Sequence, residues 1–272
     1  MAADVLLDSV WAARHLSDPG VVFLDVRAAS DYWSGHLRGA RHFDVSQFAH
    51  GDAGGIDPEN LEARYSAIFS LLGLGGGEHV VVYEKRSDVR AARAAWLLEY
   101  LGHASVSILD GGLQAWPDAV LEQDARPYAP HHFMPAIQPQ LIALASDILQ
   151  HLNEPDHRLL DSRRAREYYG EEKRTSRAGA IPGAMHLDYV EHIAPNGCFK
   201  PVAELKSAFD SLGLDPKDDV VTYCGGGSRA ALAFYALRLA GYAHARTYLG
   251  SWREWASQPE LPVAHPVRKP SL

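Results

Sequence analysis

Residues 158–163, with the sequence RLLDSR, form a short apolar run that closes on Asp-x-Arg. Residues 22–27, VFLDVR, show the same pattern near the start of the chain. A short apolar run that ends in polar residues is typical of a buried β-strand followed by a turn. Its recurrence predicts that the chain contains an internal repeat.

The repeat continues in register on both sides of this stretch. Residues 35–40 (GHLRGA) match residues 179–184 (GAIPGA), and residues 80–83 (VVVY) match residues 220–223 (VVTY). The valine-rich runs are typical of strands, because β-branched side chains are enriched there. The two copies are separated by about 140 residues, which is too long for the unit of a solenoid.

Alanine-rich stretches follow the valine-rich runs and stop at Gly102 and Gly241, as expected where a helix ends in a glycine cap. Strands that alternate with helices predict parallel sheets joined by right-handed crossovers. We therefore predict the α/β class, with two tandem domains, each a parallel-sheet core flanked by helices.

The composition predicts where the domains divide. We place an N-terminal domain at residues 1–118, a linker at residues 119–139 and a C-terminal domain at residues 140–272. The linker contains Pro127, Pro130, Pro135 and Pro139. Prolines at this density interrupt regular structure and predict an extended, stiff segment.

Composition also excludes several classes of function. The chain has 272 residues, 47% of them hydrophobic, and a net charge of −8, which argues against nucleic acid as the main partner. It has no apolar stretch of about 18 residues, so we expect no membrane span. Residues 1–5 (MAADV) lack the pattern of a signal peptide. Two cysteines cannot form a disulfide framework, which favours a reducing compartment, and we expect a cytoplasmic protein.

The two copies differ in the loop that follows the valine-rich strand. The second loop contains Cys224, Gly225, Gly226, Gly227, Ser228 and Arg229. Residues 84–90 (EKRSDVR), at the matching place in the first copy, contain neither cysteine nor glycine. Because duplicated domains share a fold, this difference indicates where a function resides.

The second loop has the features of an anion-binding site around a thiol. Ligands of open α/β sheets collect at the carboxyl ends of the strands. Glycines let successive backbone N–H groups turn inward, and a helix N-terminus adds partial positive charge. With Arg229, these features favour the thiolate of Cys224, which is the nucleophilic form. The alternative is a buried structural cysteine; the glycine run, absent from the first copy, favours the reactive one.

With these motifs, the chain resembles the two-domain rhodanese-like sulfurtransferases. The resemblance covers nearly the whole chain and rests on residues 25–27 (DVR), 161–163 (DSR), 179–184 (GAIPGA), the 224–229 loop and residues 250–255 (GSWREW). It implies an N-terminal domain without a catalytic cysteine. It implies that Cys224 takes a sulfane sulfur from a donor, holds it as a persulfide and passes it to a thiophilic acceptor, such as cyanide or a thiol. No metal or organic cofactor is implied.

The resemblance leaves two sulfur donors open, thiosulfate and 3-mercaptopyruvate. Residues 224–227 (CGGG) resemble the Cys-Gly-Ser-Gly of the mercaptopyruvate branch. However, Ser228 and Arg229 stand where that branch has Val-Thr, and Glu167 stands where it often has arginine. A cationic Arg229 suits dianionic thiosulfate. We therefore expect a small anionic donor, with thiosulfate favoured over 3-mercaptopyruvate.

Two other functions remain open from the residues alone. A cysteine phosphatase or arsenate reductase also uses a thiolate in a loop of N–H donors closed by arginine. Its usual loop has five residues between Cys and Arg, whereas here four residues, 225–228, intervene. No general acid for a phosphoryl leaving group can be identified. The second alternative is a non-catalytic rhodanese-like binding module.

Three further residues, Arg163, Trp252 and Cys198, each have two possible roles. Arg163 could hold an anionic donor or pair with Asp161. Trp252 could line the pocket or pack in the core, and core packing is the favoured alternative. Cys198 lies in a turn-like segment, PNGCFK, and we interpret it as incidental, with a resolving thiol as the alternative. No His-Glu-x-x-His spacing occurs, so we expect no metal site.

Overall fold

Parallel strands with intervening helices make up each half of the chain. The computed structural model describes residues 4–45, 57–124, 127–152 and 154–268. The first half contains strands β1 (Leu6–Leu7), β2 (Val21–Asp25), β3 (His36–Leu37), β4 (Arg41–His42), β5 (His79–Tyr83), β6 (Val106–Leu109) and β7 (Leu121–Glu122), and helices α1 (Ser9–His15), α2 (Ala29–Ser34), α3 (Pro58–Leu71) and α4 (Val89–Tyr100). The second half contains strands β8 (Ile142–Ala143), β9 (His157–Asp161), β10 (Met185–His186), β11 (Asp219–Tyr223) and β12 (Ala245–Tyr248), and helices α5 (Ala145–His151), α6 (Ala165–Tyr168), α7 (Val202–Ser211), α8 (Ser228–Leu239) and α9 (Ser251–Ser257).

The two main sheets have the same strand order. Within the described residues, the first sheet runs β1-β6-β5-β2-β4 and the second runs β8-β12-β11-β9-β10, with every neighbouring pair parallel. The strands that end at Asp25 and Asp161 therefore lie beside those that end at Tyr83 and Tyr223. This arrangement confirms the α/β class and the duplication.

The alanine-rich helices end as the sequence predicts. α4 and α8 pack against the neighbouring strands, and most of their side chains are buried, because alanine lets a helix approach a sheet closely. Gly102 (φ 86°) and Gly241 (φ 95°) adopt left-handed backbone conformations after the two helices. Their N–H groups donate to the carbonyl oxygens of Glu99 and Arg238, each within the last turn of its helix.

The Asp-x-Arg motifs fix the turns after the two central strands. Arg27 Nη2 donates to Asp25 Oδ2 over 2.6 Å, and Arg163 Nη2 donates to Asp161 Oδ2 over 2.5 Å. Each arginine also donates to a glycine carbonyl farther along its own copy. The four side chains are buried or nearly so, and each carboxylate also accepts the backbone N–H of its arginine. These ion pairs anchor the chain at the edge of the sheet where the functional loops begin.

The chain divides into two compact units. One unit comprises residues 4–45, 57–124, 127–139 and 193–199, and the other comprises residues 140–152, 154–192 and 200–268. Residues 127–138, from the proline-rich stretch, contain no helix or strand. They lie on the first unit, where Phe133 is buried and its N–H donates to Ser70 Oγ. Residues 125 and 126 of the predicted linker lie outside the described residues.

The first unit also includes a segment from the second sequence repeat, residues 193–199. The N–H of Ser87 donates to Gly197 O, and the N–H of Phe199 donates to Asp110 Oδ1, each over 2.9 Å. Among the residues that the structure describes, no helix combines the length and the apolar character needed to cross a membrane.

Candidate active site

Cys224 lies at the carboxyl end of β11, directly before the loop that leads into α8. Its side chain is 1% exposed. The N–H groups of Gly226 and Gly227 donate to Cys224 Sγ over 3.5 and 3.2 Å. These two donors lie at the start of α8, where backbone N–H groups can bind a group that carries negative charge. The structure thus brings together the cysteine and the glycine N–H groups that the sequence assigned to one site.

Gly227 is required for this arrangement on steric grounds. Its φ of 89° lies in the left-handed region, immediately before α8 begins. A β-carbon at this position would lie 2.6 Å from Leu249 Cδ1 and 2.8 Å from Leu249 O. A larger residue would therefore strain the backbone and displace the N–H group that donates to the sulfur.

Ser251 contacts both the backbone and the side chain of Cys224. Its Oγ accepts the Cys224 N–H over 3.1 Å, donates to Tyr248 O over 2.8 Å and lies 4.0 Å from Sγ. Ser251 has φ 55°, the one positive φ among described residues other than glycine. Such a conformation is uncommon for a residue with a β-carbon and is concentrated at functional sites. The two-copy register does align this serine with a glycine, but the sequence analysis did not select it.

Arg229, the last residue of the loop, is already paired with a carboxylate. Its Nη1 and Nη2 atoms donate to the two carboxylate oxygens of Glu167 over 2.6 and 3.0 Å. Burial alone would lower the pKa of Arg229, but the hydrogen bonds to Glu167 and the charge of Cys224 raise it above its ordinary value. Burial would raise the pKa of Glu167, and the hydrogen bonds from Arg229 lower it instead. The pair is therefore charged. The negative charge of Glu167 offsets the positive charge of Arg229, which the sequence predicted would attract the sulfur donor.

The loop also contacts Arg229 closely at Gly225. A β-carbon at position 225 would lie 2.7 Å from Arg229 Nη2. The loop is held on its other side by α9, because the N–H groups of Trp252 and Arg253 donate to the carbonyl oxygens of Cys224 and Gly225. Ser228 is the first residue of α8, so the residues from Cys224 to Arg229 form one continuous turn into the helix.

Arg163 and Trp252 lie in the core of the second unit. Arg163 is 1% exposed and binds Asp161 and Gly179 O, which favours the structural role that the sequence left open. Trp252 is buried in a cluster with Tyr223 and Ile181, among others, and its Nε1 donates to Arg177 O. The Arg163 guanidinium lies 4.7 Å from the Trp252 ring centroid. A role for either residue in donor binding stays a prediction.

The matching position in the first unit holds Glu84. This carboxylate follows β5 as Cys224 follows β11, and its Oε1 accepts the N–H groups of Arg90 and Ala91 over 3.1 and 2.9 Å. Burial raises the pKa of Glu84 to about 8, while the hydrogen bond from Ala91 lowers it in part. The start of α4 thus binds a carboxyl group of its own chain where the start of α8 binds a sulfur.

Cys198 has a different environment. It lies in the segment packed on the first unit, and burial, together with the neighbouring Asp110 carboxylate, raises the pKa of its thiol. A thiol with a raised pKa is a weaker nucleophile near neutrality, which agrees with its interpretation as incidental. Across the described residues, no group of three or more histidine, cysteine, aspartate or glutamate side chains is placed to hold a metal ion.

Comparison with known proteins gives matches along most of the chain. The model of the rhodanese-like domain matches residues 8–119 and 144–258. The sulfur carrier protein TtuD of Thermus thermophilus is 30% identical over 277 residues, which is 96% of each protein. A thiosulfate sulfurtransferase of Azotobacter vinelandii is 30% identical over 259 residues, 91% of this chain and 92% of the relative.

A solved structure with the same fold matches most of the chain. The crystal structure of SseA from Escherichia coli, a 3-mercaptopyruvate sulfotransferase with the rhodanese fold, aligns with a TM-score of 0.82 and 27% sequence identity. The alignment covers 92% of this chain and 99% of that one. The relatives thus include proteins named for both of the sulfur donors that the sequence left open.

Proposed function

This chain belongs to the rhodanese family of sulfurtransferases, and we propose that it moves sulfane sulfur through a persulfide on Cys224. The observation that carries the proposal is the pair of backbone N–H groups, from Gly226 and Gly227, that donate to Cys224 Sγ. The same donors can stabilise the terminal sulfur of a persulfide, which also carries negative charge. In the first unit, Glu84 occupies the equivalent place, so that unit has no thiol at the end of its β5 strand.

The transfer balances without an added oxidant or reductant. The Cys224 thiolate attacks the outer sulfur of thiosulfate, the S–S bond of the donor breaks, and sulfite leaves with the electron pair. An acceptor, such as cyanide or a thiolate, then attacks the terminal sulfur of the persulfide. The S–S bond to Cys224 breaks, and the thiolate is restored. The covalent intermediate makes this a two-step, ping-pong reaction.

Thiosulfate is the donor that we favour over 3-mercaptopyruvate. The relatives include both types, so the preference rests on the loop itself. Ser228 and Arg229 replace the Val-Thr of the mercaptopyruvate branch, and Glu167 replaces its frequent arginine. The pairing of Arg229 with Glu167 means that the positive charge of Arg229 favours thiosulfate less directly than the sequence alone suggests.

We expect a small anionic sulfur donor and a thiophilic acceptor, and no nucleic acid, because the net charge is −8. The two cysteines are both free, which supports a reducing compartment and the cytoplasmic location expected from sequence.

The test is a steady-state assay with thiosulfate and cyanide, in which thiocyanate formation is measured, and a parallel assay with 3-mercaptopyruvate. The wild-type chain and Cys198→Ser should form thiocyanate, with the higher kcat/KM for thiosulfate, and Cys224→Ser should not. Failure of both donors, together with hydrolysis of an aryl phosphate, would show that the loop is a phosphatase site. A higher kcat/KM for 3-mercaptopyruvate would overturn the donor preference only.

A further inference from the structure

The arginines that the sequence analysis selected near the loop are already engaged in ion pairs. Arg163 binds Asp161 and is buried, and Arg229 binds both carboxylate oxygens of Glu167. A guanidinium held in this way has few donors left for a second anion, and the partner carboxylate cancels its charge. An anionic sulfur donor therefore needs another cation near Cys224.

Arg253 meets that requirement. It lies on the first turn of α9, is exposed, and its backbone N–H donates to Gly225 O. A β-carbon at Gly226 would lie 3.7 Å from Cζ and 3.7 Å from Nη2 of Arg253, so the guanidinium lies over this glycine. Gly226 is one of the two glycines whose N–H groups donate to Cys224 Sγ. Within the described part of the chain, the Arg253 side chain has no ion pair or hydrogen bond.

The first unit has no such cation at the matching position. Gln114 corresponds to Arg253 in the repeat, and its N–H likewise donates to the carbonyl oxygen of the loop, at Lys85. The Gln114 side chain is neutral, and its Nε2 donates to Asn196 O over 3.2 Å. An unpaired arginine at this position thus occurs in the copy that has the cysteine, and a neutral, engaged side chain occurs in the copy that lacks it.

From this placement, and on the basis of the proposed sulfurtransferase function, we propose that Arg253 binds the anionic oxygen group of the sulfur donor. That group is the sulfonate end of thiosulfate or the carboxylate of 3-mercaptopyruvate. The planar guanidinium can bind either group through two N–H donors while the sulfur of the donor approaches Cys224. Arg253 is a specificity residue, because it selects charged over neutral reagents without changing the thiol.

Alkylation of Cys224 tests this proposal directly, because iodoacetate is anionic and iodoacetamide is a neutral analogue. The rates are measured by mass spectrometry on the full chain carrying Cys198→Ser. In this background, Arg253→Gln should lower the iodoacetate rate about three- to tenfold and leave the iodoacetamide rate unchanged. Lys206→Gln, which removes one exposed positive charge on α7, is the matched control and should change neither rate.

The ratio of the two alkylation rates distinguishes anion binding by Arg253 from a purely structural role, and the transfer assay tests the sulfurtransferase function separately. An unchanged ratio of the iodoacetate rate to the iodoacetamide rate in Arg253→Gln would overturn the proposal, whether both rates stay the same or fall equally. Arg253→Lys should retain part of the preference for iodoacetate. In the transfer assay, Arg253→Gln should raise KM for thiosulfate with little change in kcat. If the wild-type chain transfers no sulfur from any donor while the alkylation ratio falls in Arg253→Gln, the proposed function is wrong but the anion site remains.

Discussion

The loop after β5 and the loop after β11 occupy the same place in two copies of one fold, yet they hold different groups. Both follow a buried tyrosine, Tyr83 or Tyr223, and both lead into a buried alanine-rich helix. In the first copy, the helix N-terminus binds the carboxyl group of Glu84, and in the second it binds the sulfur of Cys224. The comparison teaches that the fold itself supplies a cradle of backbone N–H donors at the start of the helix in each copy, and that the residue at the end of the strand determines which acceptor the cradle holds.

The backbone next to each loop has the same conformation in the two copies but carries a different residue. Gly112 (φ 53°) and Ser251 (φ 55°) have the same left-handed conformation, in equivalent positions. A β-carbon at Gly112 would contact Glu84 O and lie 2.9 Å from Arg86 N, so the first unit has room only for glycine. The second unit retains serine there in spite of the strain, and the serine contacts Cys224.

The largest effect is expected from Gly227→Ala, which breaks the cradle of the second copy. The added β-carbon would contact Leu249, so the N–H that donates to Sγ must move. A displacement of about 1 Å at a reacting group can lower the rate about 100-fold, which we expect for persulfide formation measured by single turnover with thiosulfate.

The control for this variant is Gly241→Ala. Gly241 also has positive φ, at 95°, but a β-carbon there would have nothing within 4 Å. It should lower the thermal stability through backbone strain and leave the rate of persulfide formation unchanged. Equal rates in the Gly227→Ala and wild-type chains would contradict the role of the cradle.

A smaller effect is expected when Ser251 is replaced by the residue of the first copy. Ser251→Gly removes the Oγ that accepts the Cys224 N–H, and we expect persulfide formation about tenfold slower, the effect of one lost hydrogen bond on positioning. Ser251→Ala should lose the same activity but keep the backbone strain. Denaturant unfolding should therefore show Ser251→Gly to be more stable than Ser251→Ala by about 1 kcal/mol. Wild-type activity in Ser251→Ala would show that the hydroxyl does not position Cys224.

Glu167→Gln tests whether the ion pair with Arg229 holds the second loop together. The substitution leaves a mostly buried guanidinium without its carboxylate, so the free energy of unfolding should fall by about 2 kcal/mol in chemical denaturation. Glu172→Gln, which breaks the exposed pair with Arg174, is the matched control and should change the stability by less than about 0.5 kcal/mol. Similar losses in the two variants would mean that the Glu167 pair is no stronger than a surface pair.

The smallest effect on sulfur transfer is expected at the carboxyl group in the first cradle, where the predicted change is in the pH dependence of stability. The pKa of Glu84 is raised by burial from 4.5 to about 8. Between these two pH values, the folded state therefore binds a proton that the unfolded state has lost. The free energy of unfolding from this group is therefore highest below about pH 4.5 and falls as the pH rises toward 8. Glu84→Gln should flatten this decline between pH 5 and 8 without changing sulfur transfer. The exposed Glu204→Gln is the control, and an equally steep decline in Glu84→Gln would contradict the buried, protonated carboxyl.

Much of the fold could be predicted from sequence because it depends on local patterns. The valine-rich runs, the glycines at 102 and 241 and the Asp-x-Arg turns each signal their structure within a few residues. The cysteine and its glycines are also contiguous, so the loop could be recognised in the same way.

The features that were missed depend on contacts across the fold. Glu167 and Arg229 lie on different helices and meet only because the folded sheet brings α6 and α8 together. The strain at Ser251 comes from its positive φ angle, which a serine does not signal by itself. The one hint in the sequence is the glycine at the matching position of the first copy. The register of the repeat aligns Arg253 with Gln114. Arg253 becomes a candidate for donor binding only once the structure shows that Arg163 and Arg229 are held in ion pairs.

The central claim is that Cys224, and not Cys198 or any residue of the first loop, carries the sulfur. The most direct measurement is intact-protein mass spectrometry after incubation with thiosulfate and removal of excess donor, followed by peptide mapping. The wild-type chain and Cys198→Ser should each gain the mass of one sulfur atom, which maps to Cys224 and is lost on addition of cyanide. Cys224→Ser should gain none. A sulfur atom retained by Cys224→Ser, or mapped to Cys198, would contradict the account.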